Sequence, residues 1–275
     1  MTALPGLERL LADPLLTDIL NRRRDGFLVL DYDGTLAPFQ ARREQARPYP
    51  GVVETLCRLP GRGSGRFAVV TGREAADIVG FLAPAVPTEI WGCHGAERRL
   101  PDGTQSAPVL PPGMAQALGQ AFDRAVRTAP PDALERKSVS VAVHWRGLEE
   151  PERRNLARRI RRAWTPLARQ AGLVVEAFDG GLELRLPGWD KGRVMRFFRR
   201  DNAGAGILYL GDDRTDEDAF RALGPAGLGV LVRADGRPSA ARYRITPPAE
   251  LLRFLSVWAD ALGAGQPQPG RMHES

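Results

Sequence analysis

Two aspartates one residue apart, Asp31 and Asp33, end an apolar stretch in the sequence FLVLDYDGTLAPF. The four residues before them are apolar, as in a buried strand, so the two carboxylates need an explanation. Either they belong to a polar turn or they hold something positively charged. Aspartate can attack phosphorus to form an aspartyl-phosphate, and a second carboxylate nearby can carry a proton. A pair of this kind could therefore supply an attacking group and a proton carrier.

Polar sequence also follows two further strand-like runs. RFAVV leads into Thr71, and GILYL leads into GDDRTDED, whose acidic part begins at Asp212. Because parallel strands present their carboxyl ends at one edge of a sheet, these groups are expected to converge. Carboxylates packed closely repel one another, and burial adds to the cost, so a bound cation is the economical solution. Oxygen ligands favour Mg²⁺ over zinc or copper, which predicts a magnesium site.

A magnesium ion in a protein commonly bridges to a phosphate, which indicates phosphoryl chemistry. The sequence contains no G-x-x-x-x-G-K-[ST], which excludes a P-loop nucleotide hydrolase, and it lacks the loops of a protein kinase. Thr71 could hydrogen-bond a phosphoryl oxygen. A helix N-cap before Glu74 is the alternative role for Thr71.

Lysine is rare in this chain. Of 39 basic residues only two are lysines, Lys137 and Lys191. A lysine supplies a compact charge that the planar guanidinium of arginine does not replace, so both are candidate functional residues. Lys191 could neutralise the nucleophile and the phosphate, with a solvated helix start as the alternative.

Short apolar runs alternate with helical patterns over most of the chain, which predicts an α/β fold with a parallel sheet. KSVSVAVHWR (137–146) instead has period two, which is typical of a half-buried antiparallel strand. Residues 173–187 predict a hairpin that turns at Asp179. The predicted architecture is a Rossmann-like core interrupted by an α+β cap domain and followed by a disordered tail, divided as core 1–97, cap 98–186, core 187–262 and tail 263–275.

The composition of the chain limits the kinds of partner that the protein is expected to bind. The 275 residues carry a net charge of +6, and a solvated arginine face explains the basic stretch 152–164 more simply than nucleic-acid binding. The first twenty residues have an amphipathic helical pattern without the features of a signal peptide, and no apolar run of about 18 residues predicts a membrane helix. Two cysteines build no disulfide framework. We expect a cytoplasmic monomer without nucleic-acid or membrane partners.

The order of DYDGTL, TGR, the lysine of DKG and GDDRTDED resembles the four motifs of the haloacid dehalogenase (HAD) superfamily of phosphatases. Longer segments, GCHGAE (92–97), ERKSVSVAVHWR (135–146) and GGLELRLPGWDKG (180–192), are similar to segments of trehalose-6-phosphate phosphatases. The chain departs from that pattern at Thr71, where serine is usual, and at Trp145, where tyrosine is usual. Neither departure removes a charged group.

The resemblance implies a HAD core with an inserted cap and Mg²⁺-dependent hydrolysis of trehalose 6-phosphate through an aspartyl-phosphate intermediate, as part of trehalose biosynthesis. Asp31 would be the nucleophile and Asp33 the general acid and base. Asp31, Asp33 through its backbone carbonyl, and Asp212 would hold the metal, and Asp216 would support it from behind. Thr71 and Lys191 would hold the phosphate. The sugar hydroxyls would be contacted by four cap residues, Glu135, Lys137, Arg146 and Glu183.

The cap is expected to close over the core, with hinges near residues 98–102 and 186–189. His94 is expected to be a packed residue at a strand end more than a catalytic one. The alternatives to the trehalose substrate are a sister phosphatase of sucrose phosphate or of mannosyl-phosphoglycerate type, and a phosphomutase. From other classes, a catalytically silent binding protein and a nucleic-acid binder stay open.

Overall fold

The computed structural model describes residues 4–21, 26–40, 43–59, 66–82, 86–145 and 147–263. The helices within these ranges are α1 (Leu7–Leu11), α2 (Pro14–Asn21), α3 (Val52–Cys57), α4 (Ala75–Leu82), α5 (Pro112–Val126), α6 (Glu150–Ala171), α7 (Lys191–Asp201), α8 (Asp216–Ala222) and α9 (Ala249–Gly263). The strands are β1 (Gly26–Leu30), β2 (Arg66–Val70), β3 (Glu89–Gly92), β4 (Glu97–Arg99), β5 (Gln105–Ser106), β6 (Leu134–Arg136), β7 (Ser140–His144), β8 (Val174–Phe178), β9 (Gly181–Arg185), β10 (Gly206–Gly211), β11 (Gly227–Val232) and β12 (Tyr243–Ile245).

The larger sheet has eight strands in the order β12-β11-β10-β1-β2-β3-β4-β5. The strands from β12 to β3 run parallel, and β4 and β5 extend the sheet antiparallel at one edge. Every residue of β1 is buried. Leu28 and Leu30 face one helical layer, while Phe27 and Val29 face the other. Burial on both faces explains why these strands are apolar at successive positions, and it confirms the predicted parallel α/β core.

A second sheet has four antiparallel strands in the order β6-β7-β9-β8. Helices α5 and α6 pack on one face of it and bury residues such as Leu118, Ile160 and Trp164. The indole of Trp164 donates a hydrogen bond to the carbonyl of Ala121 at 3.0 Å, which joins the two helices. We call residues 112–185, which hold these helices and this sheet, the cap unit, and the rest of the described chain the large unit.

Strand β7 differs from the half-buried strand expected from its alternation. Val141 and Val143 lie in the apolar core of the cap unit, but Ser140 on the opposite face is also only 2% exposed. The polar face is covered because it turns toward the large unit, where Glu183 of the neighbouring β9 contacts His94. A buried polar face needs partners of its own, and the hydroxyl of Ser140 bonds Glu183 at 2.6 Å.

Two other expectations need adjustment. The amphipathic pattern near the N-terminus forms two helices and not one, because Pro14 starts α2 and Asp13 caps it by accepting a hydrogen bond from the Leu15 amide at 2.7 Å. The range assigned to the cap from residue 98 onward includes β4 and β5, which pair with the larger sheet. Beyond Gly263 the predicted tail lies outside the described residues. Among the described helices, none is both long and apolar enough to cross a membrane.

Candidate active site

A pocket opens at the carboxyl end of β1, between the large unit and the cap unit. It brings together five residues that were predicted from sequence, which line it from both units: Asp31, Asp33, Lys191, Glu135 and Lys137. Three further predicted residues are buried and do not line it, namely Thr71, Asp212 and Glu183. Arg146 lies outside the described residues.

Lys191 is the first residue of α7, and it is 2% exposed, which excludes a solvated helix start. The helix begins there because the carboxylate of Asp190 accepts a hydrogen bond from the Arg193 amide at 2.6 Å. The ammonium of Lys191 lies 2.7 Å from Asp31 Oδ1 and 2.7 Å from Asp216 Oδ1. Burial lowers the pKa of Lys191, but Asp216 and Asp31 outweigh burial and hold it above its ordinary value. A fixed positive charge therefore lies beside the predicted nucleophile.

The nearby carboxylates repel one another. Burial raises the pKa of Asp31 to about 7, although Lys191 acts in the opposite direction. Burial, followed by the charge of Asp31, raises the pKa of Asp212 well above its ordinary value. Carboxyl oxygens of Asp31, Asp212 and Asp216 all lie within 4.8 Å of one another. A cation at this position would relieve the repulsion and favour the ionised form of both carboxylates.

The carboxylates of this cluster differ in the hydrogen bonds that they already accept. Both oxygens of Asp216 already accept hydrogen bonds: Oδ1 from Lys191 and from the Tyr209 hydroxyl at 2.5 Å, and Oδ2 from the amides of Asp212 and Asp213 at 2.9 and 2.8 Å. Among the described residues, Oδ1 of Asp212 is buried with no hydrogen-bond partner. An unpartnered buried carboxylate oxygen fits a hard cation with oxygen ligands.

Gly34 makes room for this arrangement. Its φ of +83° favours glycine, and a Cβ at this position would lie 2.2 Å from Asp212 Oδ2. The DYDGTL turn and the GDD loop therefore approach each other only because residue 34 has no side chain.

Arg73 is a site residue that sequence reasoning missed. It lines the pocket, and its guanidinium forms two hydrogen bonds to the carboxylate of Asp33. The side chain is held over the rings of Tyr32 and Phe81, at 5.5 and 5.1 Å from their centroids. The signal was the arginine of the TGR motif, but nothing in the spacing indicated that its partner would be Asp33.

Thr71 lies at the end of β2 and is fully buried. Its hydroxyl accepts a hydrogen bond from the Arg73 amide at 3.1 Å, inside the turn. It does not cap α4, because the first amide of that helix, from Ala75, donates to Glu97 Oε2 at 3.0 Å. The alternative role as a helix N-cap is therefore not seen, and a contact from Thr71 to phosphate stays a prediction.

Glu135 anchors the mouth of the pocket. Its carboxylate contacts Arg43 of the large unit and lies 2.8 Å from His144 Nε2 and 3.6 Å from Lys137 Nζ. Burial alone would raise the pKa of Glu135, but Lys137, His144 and Arg43 together lower it to about 2. Arg43 and His144 line the pocket and were not identified from sequence. Arg43 belongs to none of the motifs, and His144 lies in the segment 135–146 but was given no role there.

Glu183 holds Lys137 from behind. Its Oε1 accepts hydrogen bonds from Lys137 Nζ at 2.7 Å and from Ser140 Oγ at 2.6 Å, and its Oε2 lies 2.9 Å from His94 Nε2. Burial lowers the pKa of His94, although the charge of Glu183 acts in the opposite direction. His94 lines the pocket and joins the large unit to the cap unit, which is more than the packed residue expected from sequence.

Together these groups suit in-line displacement at a phosphate monoester. The predicted nucleophile has a fixed counter-charge, a second carboxylate is positioned two residues on, and Asp212 has a buried oxygen that no hydrogen bond among the described residues occupies. On the other side of the pocket the cap unit presents alternating carboxylates and cations. Such groups match sugar hydroxyls, which both donate and accept hydrogen bonds.

Comparison with known sequences gives a consistent result. The model of the trehalose-phosphatase family matches residues 29–248. A trehalose-phosphate phosphatase of Mycobacterium avium is 37% identical over 254 residues, a match that covers 86% of this chain and 62% of that protein. The chain therefore spans about 62% of the length of that curated relative.

Solved structures agree at the level of the fold. The C-terminal domain of C. albicans trehalose-6-phosphate phosphatase superposes with a TM-score of 0.79 at 19% identity, covering 94% of this chain and 99% of that one. A phosphatase of the haloalkanoate (HAD) superfamily from Bacteroides thetaiotaomicron gives 0.59 at 18% identity, covering 86% and 96%. The fold is thus that of HAD phosphatases with a cap domain. By the match across its motifs and its cap, this chain belongs to the trehalose-phosphatase family.

Proposed function

We propose that this chain is a Mg²⁺-dependent phosphatase that hydrolyses trehalose 6-phosphate to trehalose and phosphate. The observation that carries the proposal is the buried Lys191 ammonium 2.7 Å from Asp31, beside Asp212, whose Oδ1 has no hydrogen-bond partner among the described residues. Family membership and the names of the relatives support the substrate, since a trehalose-phosphate phosphatase is among them.

In the first step an oxygen of Asp31 attacks phosphorus, and the bond from phosphorus to the sugar oxygen breaks. Asp33 donates a proton to that departing oxygen, which releases trehalose as a neutral alcohol. In the second step a water molecule attacks the aspartyl-phosphate and gives its proton to Asp33. The bond between phosphorus and Asp31 breaks, and phosphate leaves with the nucleophile regenerated.

Lys191 donates hydrogen bonds from a fixed position, so the charge that develops at phosphorus meets a donor that needs no reorganisation. Thr71 is proposed to donate its hydroxyl to a phosphoryl oxygen. Asp31, Asp212 and the carbonyl of Asp33 would hold Mg²⁺, which when bound neutralises negative charge on the phosphoryl group.

The cap unit is proposed to select the sugar. Glu135 and Lys137 would contact its hydroxyls, Glu183 would hold Lys137, and Arg146 would contribute a further donor. We further propose that the cap unit is the part of residues 98–186 that moves over the core, with a hinge near residues 186–189. We propose that the protein works as a cytoplasmic monomer on a small sugar phosphate, without nucleic-acid or membrane partners.

The test is phosphate release from trehalose 6-phosphate with Mg²⁺ and with a chelator, beside a panel containing sucrose phosphate and mannosyl-phosphoglycerate. Asp31→Asn should abolish release while leaving the fold intact, and Asp132→Asn, an exposed position, is the matched control. Substantial turnover by purified Asp31→Asn would refute the nucleophile. A preference for another sugar phosphate would refute the substrate, and sugar isomerisation without phosphate release would indicate a phosphomutase.

A further inference from the structure

Asp179, in the turn between β8 and β9 of the cap unit, contacts the large unit at the loop that carries Asp212. Its Oδ2 accepts a hydrogen bond from Arg233 Nη1 at 3.0 Å, and its Oδ1 lies 2.9 Å from Arg214 Nε. Its amide donates to Asp213 Oδ1 at 3.2 Å. The cap turn and the acidic loop after β10 therefore meet through side chains and backbone.

The same nitrogen of Arg233 reaches both sides of this contact. Nη1 also donates a hydrogen bond to the carbonyl oxygen of Asp212 at 3.3 Å. This one nitrogen therefore links the carboxylate of Asp179 to the backbone of a proposed metal ligand. The backbone amide of Arg233 donates a hydrogen bond to Ile245 O at 2.9 Å. The carboxylate of Asp235 accepts hydrogen bonds from Nε and Nη2 of Arg233, both at 3.1 Å. Arg233 thus keeps its position whether or not Asp179 is present.

The acidic loop does not depend on the cap unit for its basic shape. The carboxylate of Asp216 accepts hydrogen bonds from the amides of Asp212 and Asp213. Arg237 donates hydrogen bonds to the carbonyls of the same two residues, at 3.2 and 2.7 Å. Arg237 is anchored by Glu217 at 2.6 Å. What Asp179 adds is a link to the cap, and its removal should leave the loop folded.

Charge explains why the link should respond to a cation. The turn brings a carboxylate, Asp179, against a loop that already carries Asp212 and Asp213. Arg214 and Arg233 offset part of this repulsion, and a cation held by Asp31 and Asp212 would offset more of it. Docking of the turn would in return restrict the loop to the geometry that binds the cation.

We propose that Asp179 is a coupling residue that makes cap closure and metal binding favour each other, an inference that rests on the proposed function. The coupling is reciprocal: if closure tightens metal binding by some factor, metal strengthens closure by the same factor. Metal then prepares the closed site, and the closed cap retains the metal during turnover.

The test compares Asp179→Ala with Asp235→Ala, which removes the other carboxylate on Arg233 without touching the cap unit. Mg²⁺ affinity is measured by calorimetry without substrate, and closure by hydrogen exchange of the turn 178–181 with and without Mg²⁺. In wild type Mg²⁺ should increase protection of the turn. Asp179→Ala should lose this increase and bind Mg²⁺ about 5- to 10-fold more weakly, at the lower end of the usual coupling between sites. Asp235→Ala should stay within about twofold of wild type.

Unchanged affinity together with unchanged Mg²⁺-dependent protection in Asp179→Ala would overturn the inference, as would an equal loss in Asp235→Ala. Asp179→Asn, which keeps the size of the side chain, should behave as Asp179→Ala does, and thermal melts verify that each variant folds. Wild-type activity separates the two proposals. A wild type that hydrolyses trehalose 6-phosphate with Mg²⁺ but shows no coupling contradicts only this inference, whereas a wild type with neither binding nor hydrolysis contradicts the proposed function.

Discussion

Arg73 holds Asp33 through two parallel hydrogen bonds, from Nε to Oδ2 at 2.7 Å and from Nη2 to Oδ1 at 2.6 Å. Arg73 is itself 2% exposed, and its Nη1 donates to the carbonyl of Arg43 at 2.9 Å. A planar guanidinium matches a carboxylate in a way that an ammonium does not. The proposed proton carrier is thus oriented by a residue 40 positions away in the sequence.

Arg73→Lys should therefore weaken proton transfer and leave the nucleophile in place. We expect kcat/KM for trehalose 6-phosphate to fall about 10- to 100-fold, within the range of general acid catalysis. The value for p-nitrophenyl phosphate should fall much less, because nitrophenolate departs without a proton. Arg47→Lys is the control, since Arg47 stacks on the same ring of Phe81. Equal losses on both substrates would show that Arg73 does not act through Asp33.

One substitution in the carboxylate cluster, Asp212→Asn, is expected to raise stability and to abolish activity. Without metal, Asp212→Asn removes one of three buried carboxylates within 4.8 Å, and the melting temperature in chelator should rise by about 2–4 °C, as expected for roughly 1 kcal/mol. The same variant should lose activity and lose the further rise that Mg²⁺ causes in wild type. Asp201→Asn, at the exposed end of α7, should change none of these. A lower melting temperature in chelator would argue that Asp212 is not under repulsion.

Glu183 is expected to contribute both to the stability of the fold and to the proposed sugar site, and the two contributions can be separated. Burial alone would raise its pKa, yet Lys137 and His94 hold the pKa well below its ordinary value. Glu183→Gln should lower kcat/KM for trehalose 6-phosphate strongly and spare p-nitrophenyl phosphate, because Lys137 loses its position at the sugar. It should also destabilise the fold, toward the approximately 3–5 kcal/mol typical of a buried charge left without its partner.

A second substitution separates these two parts. Glu183→Gln combined with Lys137→Met should recover most of the stability, since no unpaired charge remains buried. It should not recover activity on the disaccharide. Recovery of both, measured by denaturant unfolding and phosphate release, would assign Glu183 to stability alone.

The two buried histidines should contribute a loss of stability as the pH drops below about 6.5, whereas Asp31 and Asp212, whose pKa values are raised by burial, contribute in the opposite direction. Burial lowers the pKa of His94 and of His144, although Glu183 and Glu135 act in the opposite direction. The unfolded chain therefore binds protons that the folded chain does not, and the stability present above the unfolded pKa is lost on acidification, by up to about 1.4 kcal/mol per pH unit for each histidine. Nδ1 of His144 adds to this, because it is buried without a hydrogen-bond partner among the described residues.

Urea unfolding between pH 7.5 and 5.5 checks this expectation. His144→Gln can keep the hydrogen bond to Glu135 but cannot be protonated, so it should reduce the slope of unfolding free energy against pH. A further reduction is expected when His94→Gln is added. An unchanged slope in the double variant would mean that the two histidines do not contribute to the pH dependence of stability.

Residues at strand ends were predictable because their position follows from local pattern. Asp31, Thr71 and Asp212 each follow an apolar run, and parallel strands place such positions at one edge of a sheet. Lys191 was recognisable from the rarity of lysine and from its place at a helix start. The parallel core and the interruption by an antiparallel unit followed from a change of hydrophobic period, which is also a local property.

The pairing of charges was not predictable in the same way. Arg73 with Asp33, Arg43 with Glu135 and Arg233 with Asp179 join residues far apart in sequence, and each arginine had many possible carboxylate partners. The sequence by itself thus determined the elements and the groups at their ends, through backbone periodicity and residue type. Only the tertiary structure decided which carboxylate oxygens are left for a cation and which already accept hydrogen bonds. The physical reason is that folding brings these carboxylates and their hydrogen-bond donors together from distant parts of the chain.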